Sequence, residues 1–265
     1  MATAAPTQTL PLFYSGLEPL NVGQHGKMKL RPLDKAPAIG ATHAIPATID
    51  EFALLQRFYP IVFSVGDQPI PLALMGLNEG VNVFLNEDGQ MRDPQSNIYI
   101  PAYIRRYPFL LARLTPESDE LSLCFDPGSG VIGDFDDGQP LFDGDQPSEN
   151  VKAVLQFCEQ FETAGQRTAA FMEELEKSGL LMDGEVAIQP EGMEQPFVYR
   201  GFKIVDEEKL RELRGDELRK MNQNGMLALI YAHLFSLSQI REIFGRQVQL
   251  GKGPPELAQQ APAEA

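Results

Sequence analysis

The chain has 265 residues, of which 43% are hydrophobic and 22% are charged, and its formal net charge at pH 7 is −15. These values are typical of a globular protein with a sizeable core, and they exclude a chain that is disordered throughout. The strong acidity argues against nucleic acid as a partner, because long-range repulsion opposes the approach to a phosphate backbone.

The first half of the chain is expected to be mainly antiparallel β-structure. Asp88 and Gly89 form a dipeptide that readily adopts positive φ angles, which predicts a tight turn. One helix is expected at residues 50–58, where Thr48 or Asp50 can cap its N-terminus. Short apolar runs between prolines and glycines have the length of strands, and they cover residues 60–65, 70–75, 81–85, 109–114 and 121–125.

Beyond residue 147 the apolar spacing becomes helical. A long helix is predicted at residues 148–179, since apolar side chains recur along one of its faces. Two strands are expected at residues 186–189 and 197–205, and further helices at residues 206–245. Residues 250–265 contain too few apolar side chains to offset the entropy of ordering, so a disordered tail is predicted there.

These elements predict one α+β domain at residues 12–249. Its mainly antiparallel β-rich half covers residues 12–146, and this half is expected to pack with a helix-rich half at residues 147–249. A flexible N-terminus at residues 1–11 and the disordered tail are expected on either side.

Several features bear on cellular location. Residues 1–11 contain neither a basic region nor an apolar run, so no Sec-type signal peptide is predicted. The longest apolar window, residues 226–235, is about half as long as a membrane-spanning helix, so no transmembrane segment is expected. Cys124 and Cys158 lie among apolar residues, as free cysteines in a reducing compartment do. Together these features predict a cytoplasmic protein.

No residue pattern predicts a metal site or identifies a cofactor. The P-loop pattern G-x-x-x-x-G-K-[ST], the zinc pattern H-E-x-x-H and the nucleophile pattern G-x-S-x-G are missing. The acidic loop at residues 126–145 has the composition of a calcium loop but the wrong register, because Gly138 replaces an oxygen ligand and Gln139 replaces the glycine. His233, on an apolar helix face, is interpreted as a hydrogen-bonded core residue.

Residues 100–113 place two adjacent arginines and three aromatic residues in an otherwise apolar run. Arg105 and Arg106 must find partners if they are buried, because an unpaired guanidinium is costly to remove from water. On a strand the two side chains would point to opposite faces. On a helical turn that begins after Pro101 they would diverge by about 100°, so only one of them is expected to be buried.

Two roles remain open for this arginine pair. One is structural, as an internal ion pair with Asp126, Asp134 or Glu51. The other is recognition of a carboxylate or phosphate group of a ligand, for which the guanidinium fork is well suited. Tyr103, Tyr107 and Phe109 are then expected to belong mainly to the core and to the wall of the cleft.

An enzyme would in addition need a group that transfers a proton. His43 or Asp126 could serve if their side chains converged within ~3 Å of a common point beside the arginines. No catalytic residue is predicted on this basis. The candidate ligand-binding residues are Arg105, Arg106, Tyr107, Tyr103, Asp126 and His43.

Several irregular motifs occur in a fixed order along the chain. They are Phe-Tyr-Pro-Ile-Val-Phe at 58–63, Gly-Leu-Asn-Glu-Gly-Val-Asn-Val-Phe at 76–84, Tyr-Ile-Pro-Ala-Tyr-Ile-Arg-Arg-Tyr-Pro-Phe at 99–109, Cys-Phe-Asp at 124–126 and Leu-Phe at 141–142 before the long helix. In this combination the chain resembles the SapC-like bacterial proteins over residues 12–246. That family is distinct from the like-named peptide-transport permease, which is a membrane protein.

The resemblance implies a role but no chemistry. The family is named after a protein linked to a bacterial surface layer. Similar proteins are encoded beside TonB-dependent outer-membrane receptors, flavin-dependent halogenase-like enzymes and cupin-like proteins, which implies an accessory role in uptake or in modifying an imported molecule. The favoured hypothesis is a soluble accessory protein that binds a small anionic ligand or a protein from a neighbouring locus. The alternatives are an uncharacterised enzyme with an arginine-based anion-binding cleft and a surface-layer-associated structural protein.

Overall fold

A computed structural model of the protein describes residues 10–114, 120–190 and 195–254. Residues 1–9 of the expected flexible N-terminus and residues 255–265 of the expected tail lie outside the described residues. None of the helices in the described ranges combines the length and the apolar character needed to cross a membrane.

The strands in these ranges are short, and all their pairings are antiparallel. They are β1 (Glu18–Pro19), β2 (Lys29–Leu30), β3 (Ala44–Pro46), β4 (Ile61–Phe63), β5 (Pro71–Leu74), β6 (Phe109–Arg113), β7 (Leu121–Phe125), β8 (Ile132–Gly133), β9 (Gln139–Pro140), β10 (Phe142–Asp143), β11 (Gln146–Pro147), β12 (Leu181–Asp183), β13 (Val186–Ile188), β14 (Phe197–Tyr199) and β15 (Lys203–Val205).

The longer helices follow residue 147. The helices are α1 (Val22–His25), α2 (Pro37–Gly40), α3 (Phe52–Leu55), α4 (Ala102–Arg106), α5 (Glu149–Lys177), α6 (Glu207–Glu212), α7 (Gly215–Gln223), α8 (Met226–Ser236) and α9 (Gln239–Gln249). This distribution confirms the α+β class, with mainly antiparallel strands in the N-terminal half and helices in the C-terminal half.

The described residues form two compact units, and each unit combines two separate stretches of the chain. Unit 1 is drawn from Met1–Ala38 and Arg106–Glu162, and unit 2 is drawn from Ile39–Arg105 and Thr163–Ala265. Each unit therefore takes residues from both sides of residue 147. That residues 12–249 make up a single domain stays a prediction.

Unit 1 contains two three-stranded sheets, with strand orders β1-β7-β6 and β8-β2-β9. Phe109 of β6 pairs directly with Phe125 of β7. Side chains two residues apart on a strand share a face, so Leu111 joins these two phenylalanines on the same side of the sheet. All three are buried together with Cys158 of α5. This apolar cluster forms the core of unit 1.

Unit 2 is built on a five-stranded sheet with the order β12-β15-β4-β5-β3. All three residues of the central strand β4 are fully buried, and α8 packs against β4 and β15. A second cluster, formed by Ile188, Ile240 and Phe244, holds β13 against α9. The apolar faces of the C-terminal helices therefore supply much of the core of unit 2.

Helix ends follow the capping residues in the sequence. The hydroxyl of Ser148 accepts a hydrogen bond from the Val151 amide at the start of α5, and Gly179 follows the end of α5 with φ +68°. The helix expected at residues 50–58 begins as a 3₁₀ turn and continues as α3. Thr48 occupies the N-cap position, and the carboxylate of Glu51 accepts a hydrogen bond from the Thr48 amide.

Residues 81–85 do not form the predicted strand. The side-chain oxygen of Asn82 accepts hydrogen bonds from the amides of Phe84 and Leu85, at 2.9 and 2.8 Å. Its amide group donates to the carbonyl of Thr42 at 2.9 Å. The Asn82 side chain therefore occupies two backbone amides that would otherwise donate to a neighbouring strand. For this reason the backbone turns here instead of extending.

The turn predicted at Asp88 and Gly89 is present. Gly89 has φ +80°, and its amide donates to the carbonyl of Asn86 at 3.0 Å. Leu85 and Met91 form a single antiparallel bridge on either side of it. The dipeptide thus specifies the turn even though its flanks are too irregular to form strands.

His233 of α8 joins two strands of the large sheet through its ring. Nδ1 lies 2.7 Å from the carbonyl of Ile61, and Nε2 lies 3.0 Å from the amide of Val205. A carbonyl only accepts and an amide only donates, so the ring is neutral with its proton on Nδ1. Burial lowers the pKa of His233 to about 4, although the bond to Ile61 acts in the opposite direction. The interpretation of His233 as a hydrogen-bonded core residue is confirmed.

We expect the buried ring of His233 to make the protein less stable as the pH falls. An unfolded histidine has the ordinary pKa of 6.5 and binds a proton more readily than the folded one. The free energy of unfolding in urea should therefore lose about 2 kcal/mol from this residue between pH 7 and pH 4.5. In His233→Gln, which does not titrate, the stability deficit relative to the wild type should shrink over the same range. A deficit that is independent of pH would contradict this assignment.

Candidate functional site

The arginine pair lies on the helical turn α4, directly after Pro101. The amides of Ile104 and Arg105 donate to the Pro101 carbonyl, at 3.0 and 3.1 Å. The side chain of Arg105 is exposed, whereas Arg106 is only 8% exposed. The expectation that one of the two is buried is confirmed. Arg105 belongs to unit 2 and Arg106 to unit 1.

Arg105 is held in a defined orientation at the surface of unit 2. Its Nη2 donates to the hydroxyl of Tyr99 at 2.7 Å, and its Nε donates to the carbonyl of Ile100 at 3.0 Å. The guanidinium carbon also lies 5.1 Å from the centre of the Tyr99 ring, within the range of a cation–π contact. An exposed guanidinium is thereby fixed by three contacts.

A buried carboxylate supports Tyr99 from the other side. Oε1 of Glu51 accepts hydrogen bonds from the Tyr99 hydroxyl at 2.9 Å and from the Ala102 amide at 2.6 Å. Oε2 accepts from the hydroxyl of Thr48 at 3.0 Å. Burial raises the pKa of Tyr99 to about 12, with Glu51 adding to the effect and Arg105 opposing it. Glu51, a predicted partner of the arginine pair, is thus linked to Arg105 through a phenol.

Arg106 takes part in an ion pair inside unit 1. Its Nη1 lies 3.6 Å from Oε1 of Glu162, and its guanidinium carbon lies 4.3 Å from the centre of the Phe161 ring. Burial raises the pKa of Glu162, and the positive charge of Arg106 opposes this change. Glu162 was not predicted as a partner, since many other acids in the sequence were equally available.

Asp126 is surrounded by hydrogen-bond donors in unit 1. It is 1% exposed. Oδ1 accepts from the Ser15 hydroxyl at 2.8 Å and from the amides of Gly16 and Gly128 at 3.2 and 3.0 Å. Oδ2 accepts from the Ser15 amide and the Tyr107 hydroxyl, both at 3.0 Å. Burial alone would raise the pKa of Asp126, but the donors of Ser15, Gly128 and Tyr107 outweigh it and lower this pKa.

The two remaining candidates, Tyr103 and His43, belong to unit 2. Tyr103 is 6% exposed and is therefore a core residue. His43 is half-buried, and burial lowers the pKa of its imidazole while the nearby charge of Glu79 opposes the change. Among the six candidates, the described contacts join Tyr107 to Asp126 and give Arg105 and Arg106 different partners. That all six form one ligand site stays a prediction.

Residues 128–133 match G-x-G-x-x-G, the glycine pattern of dinucleotide-binding proteins. That function requires a helix that begins within the pattern, with its N-terminus directed at a pyrophosphate. Here a 3₁₀ turn, Pro127–Ser129, is followed by the short strand β8. The glycines therefore serve a turn between strands. In the described ranges, no group of three or more His, Cys, Asp or Glu side chains is arranged to hold a metal ion.

Sequence reasoning missed a groove on unit 2. It has a volume of about 270 Å³ and is lined by Val83, Glu242, Arg246, Gln249 and Leu250. Four of these residues lie on α9 or directly after it, at the spacing of one helix face. This spacing can be recognised in the sequence. Val83, which forms the opposite wall, is distant from α9 in the sequence, and only the fold brings it to the groove.

Residues 20–243 match the SapC family model. The chain belongs to the SapC family. The match covers most of the chain and confirms the resemblance drawn from the irregular motifs. No curated protein and no solved structure matches this SapC protein.

We expect Asp126 to be a structural residue of this SapC protein. Asp126→Asn keeps the size of the side chain but places an NH₂ group among amide and hydroxyl donors, so the free energy of unfolding should fall by about 3 kcal/mol. Urea denaturation measures this change. Asp134→Asn, an exposed acid in the same loop, is the control and should leave stability unchanged. Equal effects of both substitutions would contradict the assignment.

Proposed function

We propose that this SapC protein is a cytoplasmic accessory protein of a bacterial uptake or modification system. In this proposal Arg105 binds the anionic group of a small ligand. The observation that carries it is that the guanidinium of Arg105 is exposed and yet held in place by Tyr99 and Ile100.

The orientation of Arg105 supports a binding role. A solvated arginine keeps about 2 kcal/mol of side-chain rotamer freedom. The hydrogen bonds to Tyr99 and Ile100 remove much of that freedom, and Tyr99 is itself fixed by the buried carboxylate of Glu51. A residue that served only solubility would need no such support. Binding to a guanidinium that is already ordered loses less entropy, which raises affinity.

The charge of the protein defines the kind of ligand. A net charge of −15 opposes the approach of large polyanions. At physiological ionic strength this repulsion is screened beyond about 8 Å, so a small anion can still reach one guanidinium at the surface. The fork of an arginine matches the two oxygens of a carboxylate or phosphate. We therefore expect a small carboxylate or phosphate compound.

The state of Asp126 supports binding in preference to proton transfer. Both oxygens of its carboxylate accept hydrogen bonds from the protein, and its pKa is lowered. A general base at neutral pH works best with a pKa close to the ambient pH and with a lone pair directed at the substrate. Asp126 instead anchors the N-terminal segment around Ser15.

The anion-binding role of Arg105 can be tested by calorimetric titration with succinate and with inorganic phosphate. Arg105→Gln should weaken the binding of the preferred probe by tenfold or more, about the contribution of a charge-assisted hydrogen-bonded pair. Tyr99→Phe keeps the ring but removes the hydroxyl that orients Arg105, so it should weaken binding by a smaller factor.

Arg57→Gln is the matched control for this titration. The guanidinium of Arg57 lies 5.2 Å from the centre of the Phe58 ring, almost the distance between Arg105 and Tyr99. This exposed arginine should be dispensable for binding. The proposal fails if the wild type binds neither probe, or if Arg57→Gln and Arg105→Gln weaken binding equally.

The accessory role can be tested in a bacterium that naturally contains the protein. The tagged full chain should be found in the cytosol after cell fractionation. After cross-linking, it should enrich a TonB-dependent receptor or a modifying enzyme encoded beside its gene, relative to an unrelated acidic protein with the same tag. Recovery only at the cell surface would instead favour the surface-layer alternative, and no enrichment of a neighbouring gene product would count against the accessory role.

A further inference from the structure

The groove on unit 2 combines two opposite charges with apolar walls. Glu242, Arg246 and Gln249 are spaced by four and three residues on α9, so they share one face of this helix. Val83 and Leu250 supply the apolar surfaces. A volume of about 270 Å³ is suitable for a molecule of amino-acid size.

Arg246 is positioned by an aromatic ring and by a carboxylate. Its guanidinium carbon lies 5.1 Å from the centre of the Phe84 ring, and Phe84 in turn packs on the fully buried Tyr59, with ring centres 4.7 Å apart. Its Nε lies 3.1 Å from Oε1 of Glu242. Within the described residues, this hydrogen bond uses only Nε. The two terminal NH₂ groups of Arg246, which is partly exposed, therefore remain as donors for a ligand.

Glu242 gives the groove its specificity. Its side chain is 59% exposed, and the carboxylate lies beside the guanidinium, so the two formal charges cancel. A simple anion at Arg246 would be repelled by Glu242, and a simple cation would be repelled by Arg246. A molecule that carries both charges on neighbouring atoms satisfies both groups. The apolar contribution of Leu250 favours a ligand with a hydrocarbon side chain.

We infer that this groove is a binding site for a small zwitterion of the α-amino acid class. The carboxylate of the ligand binds the terminal NH₂ groups of Arg246, and its ammonium group binds Glu242. The hydrocarbon side chain contacts Leu250, and the amide of Gln249 provides a further polar partner. This site uses none of the residues through which Arg105 is proposed to act.

Calorimetric titration of the full chain with L-leucine and L-methionine tests the inference. Saturable binding of at least one of them is expected. For the ligand that binds, the C-terminal amide lacks the carboxylate charge and the N-acetyl derivative lacks the ammonium charge, so each should bind at least about fivefold more weakly. Equal binding of the free amino acid and both derivatives, or no saturable binding at tens of millimolar, would overturn the proposal.

Substitutions on α9 separate the two charges. Arg246→Gln should weaken binding of the amino acid by about tenfold. Glu242→Gln should weaken binding of the amino acid but not of its N-acetyl derivative, because only the former has an ammonium group to lose a partner. A purely structural role of Glu242 would weaken both alike, and that result would overturn the proposal.

Two controls keep the result specific. Arg241→Gln removes an exposed charge from the same helix and should leave the affinity unchanged, as should Arg57→Gln, which removes an exposed charge elsewhere on unit 2. If Arg105→Gln weakens succinate or phosphate binding by about tenfold or more but weakens amino acid binding less, the two sites are independent. Loss of amino acid binding in Arg241→Gln would show a general effect of charge and would contradict the assignment to Arg246.

Discussion

The arrangement of the arginine segment depends on one buried carboxylate. Glu51 is 5% exposed, and a charge removed from water is stable only if hydrogen bonds replace its hydration. Donors from Thr48, Tyr99 and Ala102 meet this requirement. These donors come from three points of the chain, so a single side chain ties the cap before α3 to the start of α4. Arg105 is positioned by this network, because its guanidinium donates to the hydroxyl of Tyr99.

Unit 1 applies the same principle at Asp126. Its donors come from Ser15, Gly16, Tyr107 and Gly128, so it joins the N-terminal segment to the turn after β7. In an acidic protein, a carboxylate is the obvious candidate for chemistry. Here both oxygens of Asp126 accept hydrogen bonds from the protein, and the functional proposals rest instead on two arginines of unit 2, Arg105 and Arg246.

Short-range chemistry in the sequence predicted much of the fold. The helix starts at Thr48 and Ser148 and the turn at Gly89 each depend on residues within a few positions of one another. They could therefore be predicted from the sequence pattern. The prediction of a strand at residues 81–85 was wrong. The side chain of Asn82 accepts hydrogen bonds from backbone amides that pairing with another strand would need. Apolar periodicity contains no information on such competition.

The candidate site was predictable only in part. The two arginines diverge because they lie on a helical turn after Pro101. This turn could be predicted from the sequence. Their partners Tyr99 and Glu162 were not identified, because many acids and aromatic residues are equally available in the sequence. The groove on α9 needs Val83, which tertiary folding alone places beside Arg246. Contacts between distant residues are the information that one sequence lacks.

The two cysteines of the chain both lie in unit 1, and both are buried. Burial raises the pKa of Cys158 to about 11 and also raises that of Cys124, so both remain as thiols, which react slowly with alkylating reagents. Alkylation in the native state therefore requires unit 1 to open. Because unit 2 contains no thiol, the rate of cysteine alkylation would report on unit 1 alone. It would distinguish local opening of unit 1 from cooperative unfolding of the whole chain.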